Sequence, residues 1–156
     1  MSKSGLLSSS VGRKIAMALS ALFLIFFLLQ HLTINFMSVI SADLFNELSH
    51  FMGTNFLVQF LLQPVLIFGV VFHFVMGFIL EAKNRGSRSV SYAYNNAKAN
   101  STWASRNMII SGVVILLFLG LHFYDFWFPE INTKFIEGDW SGLHDGEFRY
   151  FHGLQE

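Results

Sequence analysis

IAMALSALFLIFFLLQHLTINFMS, residues 15–38, contains no Asp, Glu, Lys or Arg. A helix rising about 1.5 Å per residue needs roughly 20 apolar residues to cross about 30 Å of hydrocarbon, so this stretch is long enough to span a bilayer. A basic, serine-rich segment precedes it, with Lys3, Arg13 and Lys14. The apolar run is too long for a signal peptide and no small-residue cleavage site follows, so the segment is expected to persist as an anchor. Two further stretches, residues 57–80 and 108–128, have the same character. The predicted fold class is therefore an all-α membrane protein, a transmembrane helix bundle with three spans, forming a single domain over residues 1–156. Pro64 falls in the second turn of the second span, where a missing N–H is tolerated, and Pro129 is expected to end the third.

Composition agrees. The 156 residues are 53% hydrophobic, 17% aromatic and 13% charged, too apolar for one soluble core of ordinary make-up. Ten basic residues balance ten acidic ones, which argues against a nucleic-acid partner, because phosphate binding requires a cationic excess. The chain has no cysteine, so disulfides, thiolate zinc sites and cysteine-ligated iron–sulfur clusters are excluded within it. Any metal must be held by histidine or carboxylate.

The basic residues set an orientation. Three precede the first span, none lies between the first and second, five lie in 81–107 (Lys83, Arg85, Arg88, Lys98, Arg106), and two follow the third. Because cytoplasmic segments hold the Lys and Arg excess, the N-terminus is predicted to be cytoplasmic, in an inner (cytoplasmic) membrane. The 129–156 segment is then placed outside, and it is acidic, with Glu130, Glu137, Asp139, Asp145, Glu147 and Glu156.

Three histidines, His31, His73 and His122, fall one in each span, whereas His50, His144 and His152 lie outside and read as solvated surface residues. Ionisable groups inside a membrane are costly and usually turn inward toward a partner. Helical rise puts His31 and His122 at a common level roughly 6–8 Å to the outer side of the midplane, and His73 a similar distance to the inner side. Two levels roughly 14 Å apart suit two stacked flat cofactors better than one ion, whose ligands must converge on a point. Glycines flank His73 at four-residue spacing, in Gly69-xxx-His73-xxx-Gly77, so both same-face neighbours lack a side chain and a porphyrin has room to lie there. Ser20 and Ser111 each lie eleven residues, about three turns, before an outer histidine and so near the inner level. Close helix packing by small residues and interhelical hydrogen bonding by the histidines are the competing accounts. Two imidazoles on one iron make a six-coordinate, electron-transferring haem. His31 and His122 can supply both axial ligands of an outer haem, and His73 one ligand of an inner haem.

The stretch Ser10-Val-Gly-Arg-Lys through Gln30-His31-Leu, then Phe72-His73-Phe74, then the lead from Ser101 to Asn107 into Gly120-Leu-His122-Phe-Tyr, resembles the di-haem cytochrome b anchor of succinate dehydrogenase and fumarate reductase. The likeness is closest to the single-anchor, menaquinone-using bacterial type and covers about residues 10–128. It implies two haem b groups, with outer ligands on helices one and three and inner ligands on helices two and four of a five-helix subunit. This chain has three spans, so the last two helices and the inner haem's second axial ligand are expected on a missing part of a chain cut short, with supply by another chain as the alternative. The resemblance further implies a flavoprotein partner, an iron–sulfur subunit on the cytoplasmic face, membrane lipid, and menaquinone or another quinone as substrate. The chain itself would then act as the electron-transferring anchor of a succinate:quinone oxidoreductase. Operation in reverse as a quinol:fumarate reductase, a haem-free structural anchor, and a proton-relaying transporter fragment are the alternatives.

Arg106, at the start of the third span after Trp103, is the candidate contact for a haem propionate, with lipid headgroups as the competing account. Asp43, Glu47 and Asp125 are carboxylates near the outer level, but none is assigned to quinone chemistry.

Overall fold

A computed structural model of the chain describes residues 9–87, 99 and 101–148. Lys3, Arg88, Lys98, His152 and Glu156, and the side chains of His144 and Glu147, all invoked above, lie outside the described residues. The fold is all-α in its spanning part. Three helical stretches, Ser10–Ile40, Val58–Gly86 and Met108–Phe135, are long and apolar enough to cross a membrane, as expected of an integral membrane protein. Among the described residues no apolar side chain is buried, and large ones such as Phe26, Val39 and Leu117 stand exposed along the helices. In water such a surface would drive aggregation; in hydrocarbon it is the solvated surface.

Helix α1, Ser10–Ile40, starts at Ser9, whose hydroxyl accepts from the Gly12 N–H at 2.9 Å. This satisfies one of the donors left open at a helix start. It ends at Ser41, an extended residue whose N–H donates to the Met37 carbonyl. The same Ser41 caps the next helix, α2, Ala42–Thr54, by accepting from the Leu44 N–H at 3.3 Å. One residue thus turns the chain between two helices. The segment between the first two spans is mostly helix.

Helix α3, Gln63–Gly86, is preceded by a π turn, Val58–Leu62. The third spanning stretch is built the same way: α5, Met108–His122, then a π turn, Phe123–Trp127, then α6, Phe128–Phe135. A four-residue helix, α4, Trp103–Arg106, leads into it. Pro129 therefore does not end the third helix, which continues to Phe135. In both cases the residue just before proline closes an i→i−5 bond, Gln63 N–H to the Val58 carbonyl and Phe128 N–H to the Phe123 carbonyl. A proline ring collides with the carbonyl four residues earlier. Here those carbonyls belong to Phe60 and Asp125, inside the widened turns, so the helix passes each proline without breaking.

After the third helical stretch lies a small antiparallel hairpin, β1 (Leu143–His144) with β2 (Glu147–Phe148). Its turn residues Asp145 and Gly146 both have positive φ, 51° and 86°, as a two-residue hairpin turn requires.

Two compact units divide the chain. One comprises Met1–His73 with Thr133–Glu156, and the other Phe74–Asn132.

Candidate functional site

In the first unit, α3 docks on α1 through two neighbouring contacts. Gly69 is buried against the Phe23 ring; a Cβ there would lie 2.9 Å from Phe23 Cε1 and 3.1 Å from Cδ1. One turn further on, His73 Nδ1 lies 2.9 Å from the Ser20 hydroxyl, which also donates to the Met17 carbonyl at 2.8 Å. The Gly69 notch, expected to leave room for a flat cofactor, is therefore taken by a phenylalanine ring. The missing Cβ at Gly69 is what lets the Phe23 ring lie this near the α3 backbone.

His31 lies eleven residues beyond Ser20 on the same helix, or about 16 Å along its axis. Since Ser20 and His73 are in hydrogen-bonding contact, His31 and His73 stand at separate heights along α1. The His31 ring stacks on Phe27, one turn earlier, at a centroid distance of 5.5 Å and an interplanar angle of 21°. Asn35 Nδ2 donates to the His31 carbonyl at 2.8 Å and approaches its Nε2 at 3.4 Å. His31 also lines a pocket of about 280 Å³ with Phe27, Gln30, Asn35, Phe45 and Met52, where α2 folds back on α1. Gln30 reaches across it to the Met52 sulfur at 3.7 Å.

In the second unit, His122 closes α5. Its ring stacks on Phe118 at 5.8 Å and 15°, and Phe126 packs against it at 5.0 Å. His31 and His122 thus share one local device, a phenylalanine four residues earlier covering the imidazole face. A covered face leaves the ring edge, where the in-plane nitrogen lone pair lies, as the reactive part. The patterns Phe27-xxx-His31 and Phe118-xxx-His122-xxx-Phe126 were available in the sequence at same-face spacing and are the signal that reading by histidine alone passes over. Ser111 donates to its own Met108 carbonyl at 3.0 Å.

Arg106 ends α4 and is exposed; its guanidinium donates to the Ser101 carbonyl and, at 3.1 Å, to the Ser101 hydroxyl. Trp103 is 72% exposed, as an interfacial anchor would be.

The end of the third helical stretch holds a group that sequence reading missed. Lys134 is 1% exposed. Its ammonium donates to the Gly53 carbonyl at 2.5 Å and to Gln59 Oε1 at 3.2 Å, and lies 5.8 Å from the Trp140 ring centroid. Gln59 Nε2 donates in turn to the Met52 carbonyl at 2.8 Å. Two of the carbonyls left open at the end of α2 are so capped by side chains. Trp140 stacks on Phe60 at 5.5 Å and meets Phe135 edge-on at 4.9 Å. His50 is not a freely solvated residue: its Nε2–H donates to the Ser141 carbonyl at 2.8 Å and its ring meets Phe148 edge-on.

Among the described residues no three His, Asp or Glu side chains converge on one point, so a bare ion with three such ligands has no home in them. A haem asks less, one imidazole per axial position with its ring held from behind. His73 meets that demand through Ser20, and His31 and His122 through stacked phenylalanines, so the donor chemistry fits. The pocket beside His31 lies at the foot of the roughly 300–1,000 Å³ range of small-molecule sites, too small to hold a macrocycle between α1 and α2.

The chain matches no family model, curated protein or solved structure.

Proposed function

We propose that this chain is the haem b-carrying membrane anchor of a succinate:quinone oxidoreductase, relaying electrons between an iron–sulfur partner subunit and menaquinone or a related quinone. The observation that carries the reading is one histidine in each of three spans, each with its ring oriented by a neighbour: Phe27 for His31, Ser20 for His73, Phe118 and Phe126 for His122. Bound haem supplies a one-electron couple whose potential depends on its axial ligands and their outer partners.

The chain's own contribution is to present imidazole edges inside a low-dielectric layer. His31 and His122 are the proposed axial pair of the outer haem, on the depth reading of the sequence, and His73 a ligand of the inner one. Arg106, held by Ser101 at the start of the third span, is the proposed contact for a propionate or an anionic lipid headgroup. A basic inner boundary with Arg13, Lys14, Lys83 and Arg85 is the surface proposed to meet the iron–sulfur and flavoprotein subunits.

The test is spectroscopic. Reduced-minus-oxidised difference spectra of the purified complex should show b-type absorption. His31→Ala or His122→Ala should remove the outer component while the inner one survives. Retention of both components in the His122→Ala protein would defeat the ligand assignment. A haem-free anchor is the reading that the Ser20–His73 interhelical hydrogen bond also permits, and it requires no haem absorption in the unsubstituted protein.

A further inference from the structure

The Ser20 hydroxyl has one proton and two close partners. It donates to the Met17 carbonyl at 2.8 Å, three residues back on α1, and stands 2.9 Å from His73 Nδ1. A hydroxyl whose proton is engaged by a carbonyl has only lone pairs left to offer the other partner. The hydrogen between Ser20 and His73 must then belong to the imidazole, on Nδ1. In a neutral imidazole one nitrogen carries the proton and the other the lone pair, so the lone pair is on Nε2.

We infer that Ser20 is the positioning residue of His73: by accepting its Nδ1–H across the α1–α3 contact, it fixes the imidazole in the tautomer whose Nε2 can bind iron. This role rests on the proposed haem function. Three features make Ser20 suited to it. The Ser20–Met17 hydrogen bond lies within α1, so the hydroxyl's direction is set before α3 arrives. The Gly69–Phe23 contact, one turn away, holds the two helices close enough for a 2.9 Å bond. A hydroxyl acceptor also adds electron density to the ring without adding a charge inside the membrane, where a carboxylate would be costly. Stronger donation from His73 favours ferric over ferrous iron, so Ser20 is expected to lower the potential of the haem bound there.

Nitrogen-15 NMR of the histidine-labelled full chain before haem is supplied reads the tautomer directly, because iron on Nε2 would itself leave the proton on Nδ1. The His73 signals are identified by their loss in His73→Gln. The expected result is a proton on Nδ1; a proton on Nε2 would overturn the inference in the unsubstituted protein, whatever any variant does. Ser20→Ala should release the tautomer, raise the midpoint potential of the component that His73→Gln abolishes, and speed its haem loss at least tenfold. The usual cost of removing an outer partner of a ligating histidine is roughly 10–100-fold. Ser20→Thr, which keeps the hydroxyl, should restore both tautomer and potential. Unchanged nitrogen shifts together with an unchanged potential in Ser20→Ala would also overturn it. A protein with Nδ1 protonated but no haem absorption would defeat the haem reading and leave the tautomer assignment standing.

Discussion

At the scale of single residues, the positions with chemical potential were readable from the chain, but their partners were not all equally so. His31, His73 and His122 stand out because an ionisable group in an apolar run is rare. The phenylalanines that cover two of them lie four residues away and follow from helical spacing alone. Lys134 could not be found that way. Its two acceptors, Gly53 and Gln59, are 81 and 75 residues distant, and only the return of the outer segment onto α2 brings them together. A buried cation with two engaged acceptors predicts a cost on removal. Lys134→Met should leave the Gly53 carbonyl and Gln59 Oε1 short of a donor, at about 1–3 kcal/mol. The midpoint of denaturant-induced unfolding in detergent should fall accordingly, with a change in Trp140 fluorescence because the ammonium lies beside that ring. An unaltered midpoint would mean that water replaces the ammonium at no cost.

At the scale of elements, the three spans were legible because length and apolarity determine them, whereas their ends and interruptions were not. Pro129 reads as a stop, yet the π turn Phe123–Trp127 widens the helix just ahead of it, as Val58–Leu62 does ahead of Pro64. Sequence periodicity does not distinguish a turn that absorbs one extra residue from a helix end. Helix α2 is not announced by apolarity, because its thirteen residues are too polar to span, though Ser41 before Asp43 is a recognisable helix start. The glycines around His73 read as space beside the imidazole; at Gly69 the Phe23 ring lies in that space. That contact yields a prediction. Gly69→Ala puts a methyl 2.9 Å from the ring and should destabilise the α1–α3 pairing by about 1–3 kcal/mol, with a smaller side chain at position 23 restoring much of it. The measurement is unfolding of Gly69→Ala and of Gly69→Ala with Phe23→Leu in the same micelle. If the double variant is no more stable than the single one, the notch is not what limits the approach.

At the scale of the whole molecule, solvent replaces core as the organising term. No apolar side chain among the described residues is buried, so the fold is not held by a dry interior of its own. Lipid covers the outward faces at no cost, and specificity must come from a few polar or close contacts such as Ser20–His73 and Gly69–Phe23. The predicted orientation rests on charge: eight of the ten basic residues lie before the first span or between the second and third, and six of the ten acidic ones after the third. Because the chain has no cysteine, single introduced thiols report sidedness without background. Ser87 and Ile136 are both exposed, one just past α3 and the other just past α6, on opposite sides of the predicted topology. In intact cells stripped of any outer barrier, a membrane-impermeant maleimide should label Ile136→Cys at once and Ser87→Cys only after the membrane is opened. Labelling in the reverse order would place the N-terminus outside. It would carry the His73 level to the outer half of the bilayer and move the proposed docking face for the iron–sulfur partner to the wrong compartment.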